Sequence, residues 1–173
     1  MGDRTALDHL WAGWRHSYIN AVNDDDAILA PDRSGSLFER ILRLSDEAGM
    51  IVHRGATCSV LLNAYPYTNG HLLVLPNRAV ADYEGLTEQE LGEMARLQRD
   101  AVLALKRAYR CDGVNVGLNL GRAAGAGVPD HVHAHVLPRW DADSNFMTAV
   151  ANTRVLPEPL DETWRRVRTN WPS

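Results

Sequence analysis

Residues 130–140 read DHVHAHVLPRW and set three imidazoles, His131, His133 and His135, at alternate positions. On an extended strand, residues i, i+2 and i+4 share a face, so the rings would form one row with Val132, Ala134 and Val136 behind them. With 7 histidines in 173 residues, such a triple arises by chance in roughly one chain in a hundred. Lys, Thr or Glu would serve a solvated face equally well, so the row points to chemistry. Two uses suit it. Imidazoles on one strand can converge on a metal ion, but a catalytic metal site wants a further ligand, and neighbouring Asp130 faces the other way. Alternatively, a neutral imidazole attacks phosphorus near neutral pH if one ring nitrogen is unprotonated and the other is held by a partner. That use also needs donors for phosphate oxygens. The loop GRAAGAG (121–127) offers backbone N–H groups and Arg122. It lacks the Gly-Lys-Ser/Thr ending of a P-loop, and no G-x-G-x-x-G leads from a strand into a helix.

The elements that must carry these residues are legible in part. Ser36-Leu37-Phe38-Glu39 fits a capping box, and Leu37, Ile41, Leu44 and Ala48 predict one face of a helix that stops at Gly49. Strands are predicted over 50–53, 58–63 and 71–75, the last two joined by the turn-rich NAYPYTNG (63–70). A second capping box, Thr87 to Glu90, opens a helix to about Arg110. Its apolar stripe runs Leu91, Met94, Leu97, Ala101, Val102, Leu105 and Ala108. Residues 112–120, DGVNVGLNL, alternate as a strand with one polar face. The glycine loop then leads to the histidine strand, which can pair antiparallel with it because the link is too short for a helical crossover. Beyond Trp140 the chain is polar, and a short helix is expected from Pro159 to about Asn170. Short strands around one long helix make an α+β chain.

Composition narrows the classes. Hydrophobic residues are 45% and charged residues 23% of the chain, ordinary for one soluble domain of this length. A net charge of −4 gives no basic field for nucleic acid or an anionic membrane; local arginines and backbone donors can still hold a small phosphorylated ligand. No stretch approaches the roughly 20 apolar residues of a membrane span, residues 1–20 lack a secretory apolar run, and Ala6 replaces the Ser or Thr of a myristoylation motif. Cys58 and Cys111, far apart in apolar settings, read as free thiols in a reducing cytoplasm.

The stretch HVHAHVL (131–137) matches His-φ-His-φ-His-φ-φ, with φ apolar, at every position. It resembles the histidine triad (HIT) family of nucleotidyl hydrolases and transferases. Residues 10–19, 63–76, 116–131, 136–140 and 145–158 resemble, in order, the bacterial branch with diadenosine tetraphosphate phosphorylases and hydrolases. The resemblance implies a HIT-like α+β fold, a twisted antiparallel sheet with a long helix packed across it. It further implies one domain over 1–173 with its core at about 36–140, assembled as a homodimer with sites near the interface. The implied reaction cleaves a nucleoside polyphosphate, diadenosine tetraphosphate foremost, by phosphorolysis or hydrolysis through a nucleotidyl–histidine intermediate. A phosphoramidase or other nucleotide-conjugate hydrolase, and a nucleotide-binding module without turnover, remain as alternatives.

Carried over by position, His133 is the nucleophile and the carbonyl of His131 holds its other nitrogen, while His135 contacts phosphate oxygens and assists the leaving group. His71 is a fourth site histidine. Asn63 holds the ribose, Asn119 contacts phosphate, and the loop from Gly125 to Gly127 donates backbone N–H groups. No metal or cofactor is required, although Mg²⁺ can accompany the polyphosphate. Three departures concern the substrate and assembly more than the chemistry. Relatives carry a zinc-binding Cys-x-x-Cys where this chain is read as having AILA (27–30), so no structural zinc is expected. Gly127-Val128 replaces a polar pair that serves the leaving group, and Ala134 stands where the branch often has Trp.

Overall fold

The computed structural model describes residues 8–10, 34–143, 153–155 and 158–173, with backbone only for 8–10 and 153–155. In chain order these form β1 (Asp8–Leu10), α1 (Leu37–Leu42), β2 (Ile51–Arg54), β3 (Cys58–Leu62), β4 (Leu72–Pro76), α2 (Glu88–Tyr109), β5 (Gly113–Leu118), β6 (Ala134–Arg139), β7 (Thr153–Val155) and α3 (Leu160–Thr169). Among the described residues, β2-β3-β4-β6-β5 make a five-stranded antiparallel sheet, and β1 pairs β7 in parallel. The fold is α+β. The readings for 23–33, including AILA, and for most of 10–19 and 145–157 lie outside the described residues.

The long helix crosses one face of the sheet. Thr87 and Glu90 cap its start reciprocally, and Arg110 ends it in the left-handed conformation at φ 49°. Its buried positions, Met94, Leu97, Ala101, Ala104 and Leu105, recur every three or four residues and so share one side. They pack on Val60, Leu62, Leu72, Val74, Val132, Ala134 and Val136. Two alanines at the centre of the stripe let helix and sheet approach closely. Glu93, one turn after the cap, accepts from the backbone N–H groups of Ala56, Thr57 and Cys58 and so ties the β2–β3 turn to α2.

The opposite face is covered by less. Phe38, Ile51, Leu61, Leu73 and Leu75 form a second cluster there, with Ile41, Leu42 and Val128 against it. The expected capping box of Ser36 and Glu39 is present, but α1 ends at Leu42 and does not reach Gly49. Arg54 supplies the reason. Its guanidinium donates to the carbonyls of Leu42 (2.7 Å) and Leu44 (2.8 Å) and to Asp46 (2.7 Å), taking acceptors that a further helical turn would have used.

The histidine strand also starts later than its alternation predicted. β6 begins at Ala134, so of the triad only His135 lies in the ladder, opposite Leu73 of β4 and Gly117 of β5. Beyond Val74 the neighbouring strand runs to Pro76, which has no N–H for a ladder. The chain accordingly turns aside: Val132 N–H donates to Val80 O at 2.7 Å. Alternation of faces survives this break, with Val132, Ala134 and Val136 all in the helix-side core.

Candidate active site

His71 enters β4 from the 63–70 turn, and Gly70 makes that entry possible. Gly70 has φ +77°, and a β-carbon there would lie 2.8 Å from the ring of Tyr109, so only glycine fits. The buried His71 ring is then held from both sides. The Tyr67 backbone N–H (3.1 Å) and Asn63 Nδ2 (3.2 Å) meet its Nδ1, while Asn63 Oδ1 is taken by Tyr65 N–H at 2.9 Å. Two donors on Nδ1 place the ring proton on Nε2, and that N–H donates to Nδ1 of His135 at 2.8 Å. His135 must therefore carry its own proton on Nε2. This buried nitrogen has no acceptor among the described residues, which leaves an N–H available to a substrate oxygen.

His133 has the complementary tautomer. Its Nδ1 lies 2.8 Å from the carbonyl oxygen of His131. A carbonyl can only accept, so the proton sits on Nδ1 and the lone pair on Nε2. The rings of His133 and His135 are 5.0 Å apart at 64°, and the Phe38 ring lies 5.1 Å from that of His133. His131 is separate from this pair. Fully buried, it donates from Nε2 to Pro76 O (2.8 Å) and accepts at Nδ1 from the hydroxyl of Ser36 (2.7 Å). The alternating row is thus divided: His133 and His135 face a cavity, and His131 faces the protein.

Burial makes the neutral form the stable one throughout. It holds His71 well below the ordinary imidazole value, aided by His135 and His133, and His135 at about 4, aided by His133. His133 is lowered by burial despite the opposing carbonyl of His131. His131 is lowered by burial despite Pro76 O. A lone pair on His133 therefore persists at neutral pH.

The cavity measures about 390 Å³, within the range of small-molecule sites. Its far walls are apolar: Leu37, Phe38, Ile41 and Leu44 around α1, and Leu61 and Leu73 on the sheet. Asn63, His133, His135, Gly125 and Gly127 line its other parts. Leu37, Ile41, Leu44 and Ala48, predicted as one face of a helix, are here cavity wall. Periodicity marks the apolar side and cannot distinguish a core from a pocket.

The structure brings His71, Asn63, His133, His135, Gly125 and Gly127 together. Asn119 lies just past β5, half-buried and outside the cavity lining. Arg122 is exposed on the single 3₁₀ turn of the glycine loop. Arg139 forks onto Asp143 at 2.6 Å and reaches Asn115 at 2.8 Å. Trp140 packs edge-on against Tyr109, with centroids 6.1 Å apart. Sequence reasoning missed Ser36 as a site residue and noted only its cap; the signal was a hydroxyl at the start of an apolar helix, which carries no mark of a partner 95 positions away.

Two neutral imidazoles, one with an exposed role for its lone pair and one with an N–H to donate, beside an apolar cavity and a glycine loop, make this an α+β protein equipped for covalent chemistry by histidine. The chain belongs to the HIT domain family, whose model matches residues 47–142. It is 38% identical to AP-4-A phosphorylase of Mycobacterium tuberculosis over 174 residues, covering 99% of this chain and 88% of that protein. It is 33% identical to the asymmetrical bis(5'-nucleosyl)-tetraphosphatase of Schizosaccharomyces pombe over 93 residues, 54% of this chain and 50% of that one. Its fold matches a Zn-bound histidine triad family protein from Mycobacterium smegmatis with TM-score 0.59 and 27% identity, over 70% of this chain and 82% of that chain.

Proposed function

We propose that this protein is a nucleotidyl transferase that cleaves diadenosine tetraphosphate by phosphorolysis. The observation that carries the reading is the tautomer pair, a lone pair on His133 Nε2 beside an N–H on His135 Nε2. The relative similar over nearly the full length, named for this phosphorolysis, supports the substrate and the acceptor.

In this reading the apolar cavity takes one adenosine, with Asn63 near the ribose. The Asn63 amide keeps one N–H and one lone pair beyond its bonds to His71 and Tyr65. Nε2 of His133 attacks the adjacent phosphorus. A P–N bond forms, the P–O bond to the leaving nucleotide breaks, and the electron pair departs on that oxygen. The N–H of His135 meets the charge developing there. The backbone N–H groups around Gly125 and Gly127, with Asn119, hold the other phosphate oxygens. Phosphate then attacks the nucleotidyl–histidine and releases His133. Splitting one difficult displacement into two lowers each barrier. Mg²⁺ enters with the polyphosphate as part of the substrate. Among the described residues no group of three or more His, Cys, Asp or Glu side chains is placed to hold an ion.

The same proposal puts the protein in the cytoplasm as a homodimer. No described helix is long and apolar enough to cross a membrane, and the edge strand β5 exposes Val116 (46%), followed by Leu120 (48%). Product analysis tests the reaction. ATP plus ADP, formed only when phosphate is added, is expected. ATP plus AMP regardless of phosphate would replace phosphorolysis by hydrolysis, and no product at all would turn the search to phosphoramidates and other nucleotide conjugates.

A further inference from the structure

Ser36 occupies a junction that neither helix capping nor the histidine motif accounts for alone. Its backbone N–H is taken by Glu39 Oε2 at 2.8 Å, and its hydroxyl oxygen accepts the Glu39 N–H at 3.2 Å. Those two bonds complete the capping box and would be the same in any well-capped helix. The hydroxyl proton has a different destination. His131 Nε2 lies 2.8 Å from a carbonyl and so must bear the ring proton; Nδ1 can then only accept, and Ser36 Oγ, 2.7 Å away, is its donor. The residue is 7% exposed, so water is a poor substitute.

The consequence reaches the cavity. Residues 131–133 lie outside the β6 ladder. They are held by Val132 N–H to Val80 O, a longer His131 N–H to Val128 O at 3.5 Å, the Phe38 ring edge-on to His131 and His133, and the His131 ring to Pro76 O and to Ser36. The His131 carbonyl in turn accepts from His133 Nδ1. Glu39 reinforces the same corner, accepting from Ala79 N–H at 3.0 Å, next to the Val80 that holds Val132. We propose that Ser36 is a positioning residue for the histidine site: its hydroxyl locks the His131 ring, which fixes the carbonyl that orients and sets the tautomer of His133. Because Leu37 and Phe38 follow it directly and line the cavity, the same residue ties the cavity wall to the reacting nitrogen.

The inference rests on the proposed role of His133, and two readouts separate their fates. Ser36→Gly removes the hydroxyl while leaving a residue that helix caps tolerate well; Ser36→Thr keeps both hydroxyl and cap. With diadenosine tetraphosphate and phosphate, Ser36→Gly is expected to lose about tenfold or more in kcat, as a displaced reacting group does, with KM within about twofold, and Ser36→Thr to recover most of it. Histidine-ring ¹H–¹⁵N spectra of the full-length protein give the second readout. They are expected to show His131 protonated at Nε2 and His133 at Nδ1 in the parent and in Ser36→Thr, and a mixed tautomer population of His133 in Ser36→Gly. Parent-like kcat and parent-like ring spectra in Ser36→Gly would overturn the proposal, as would a loss confined to KM. If the parent itself fails to turn over this substrate, the proposed function falls, and the ring spectra still decide the role of Ser36.

Discussion

At the residue scale, the chemistry follows from hydrogen bonds that leave each imidazole a single choice. A carbonyl against Nδ1 gives His133 its outward lone pair, and donors against Nδ1 of His71 pass a proton preference on to His135. In the proposed reaction, His133→Asn or His133→Gly should lower turnover by about three orders of magnitude or more, as loss of a nucleophile does. Mononucleotide affinity, measured by calorimetry, should stay within about threefold, because the apolar walls and the other polar lining residues are untouched. Activity in either variant comparable to the parent would exclude covalent catalysis by this residue. The triad itself was legible in the sequence, since alternation places its members on one side. Its division into two cavity histidines and one internal histidine was not, because Pro76 O and Ser36 Oγ meet His131 only after the chain has folded.

Elements explain which parts of the pattern could be read. The helix α2 was legible almost to the residue, because its capping box, its stripe and its end are all local. The helix α1 was legible only at its start: the residue that ends it, Arg54, comes from β2. The face Leu37, Ile41 and Leu44 was correctly read as apolar, yet it bounds a cavity, with Ile41 also against the second core cluster. Leu44→Asp separates these meanings. A half-buried wall residue should tolerate the change with a melting temperature within a few degrees of the parent, whereas the KM for the nucleotide substrate should rise about tenfold, by loss of roughly 1.5 kcal/mol of apolar contact. A collapse in stability with unaltered KM would make Leu44 a core residue.

For the whole molecule, four buried neutral histidines in one sheet region couple stability to pH. Each has a folded-state pKa below its unfolded value, so below about pH 6.5 the unfolded chain binds protons that the native protein refuses. Stability should fall as pH drops from about 6.5 towards the value near 4 at which His135 titrates in the fold. A second loss belongs to Glu90, which Arg78 above all holds at about 2. Its contribution is complete above the ordinary carboxylate value of 4.5 and vanishes as pH falls from there to about 2. Urea midpoints at pH 7.0, 5.5 and 4.5 should decrease in that order; a rise from 7.0 to 5.5 would contradict neutral burial. The proposed dimer is a whole-molecule question as well. Val116→Lys, on the exposed edge strand, should shift the mass measured by light scattering from dimer to monomer, because an edge lysine opposes strand pairing.

The sequence by itself determined the family, the helix caps, the strand alternation and the identity of the histidines, since these depend on residues close together in the chain or on a contiguous motif. The tertiary structure alone decided which nitrogen of each ring carries a proton, where β6 begins and which apolar face is left open as a cavity. All three depend on partners drawn from separate strands and loops, and a ring nitrogen, an unpaired backbone or an apolar wall takes its meaning from whichever group the fold sets against it.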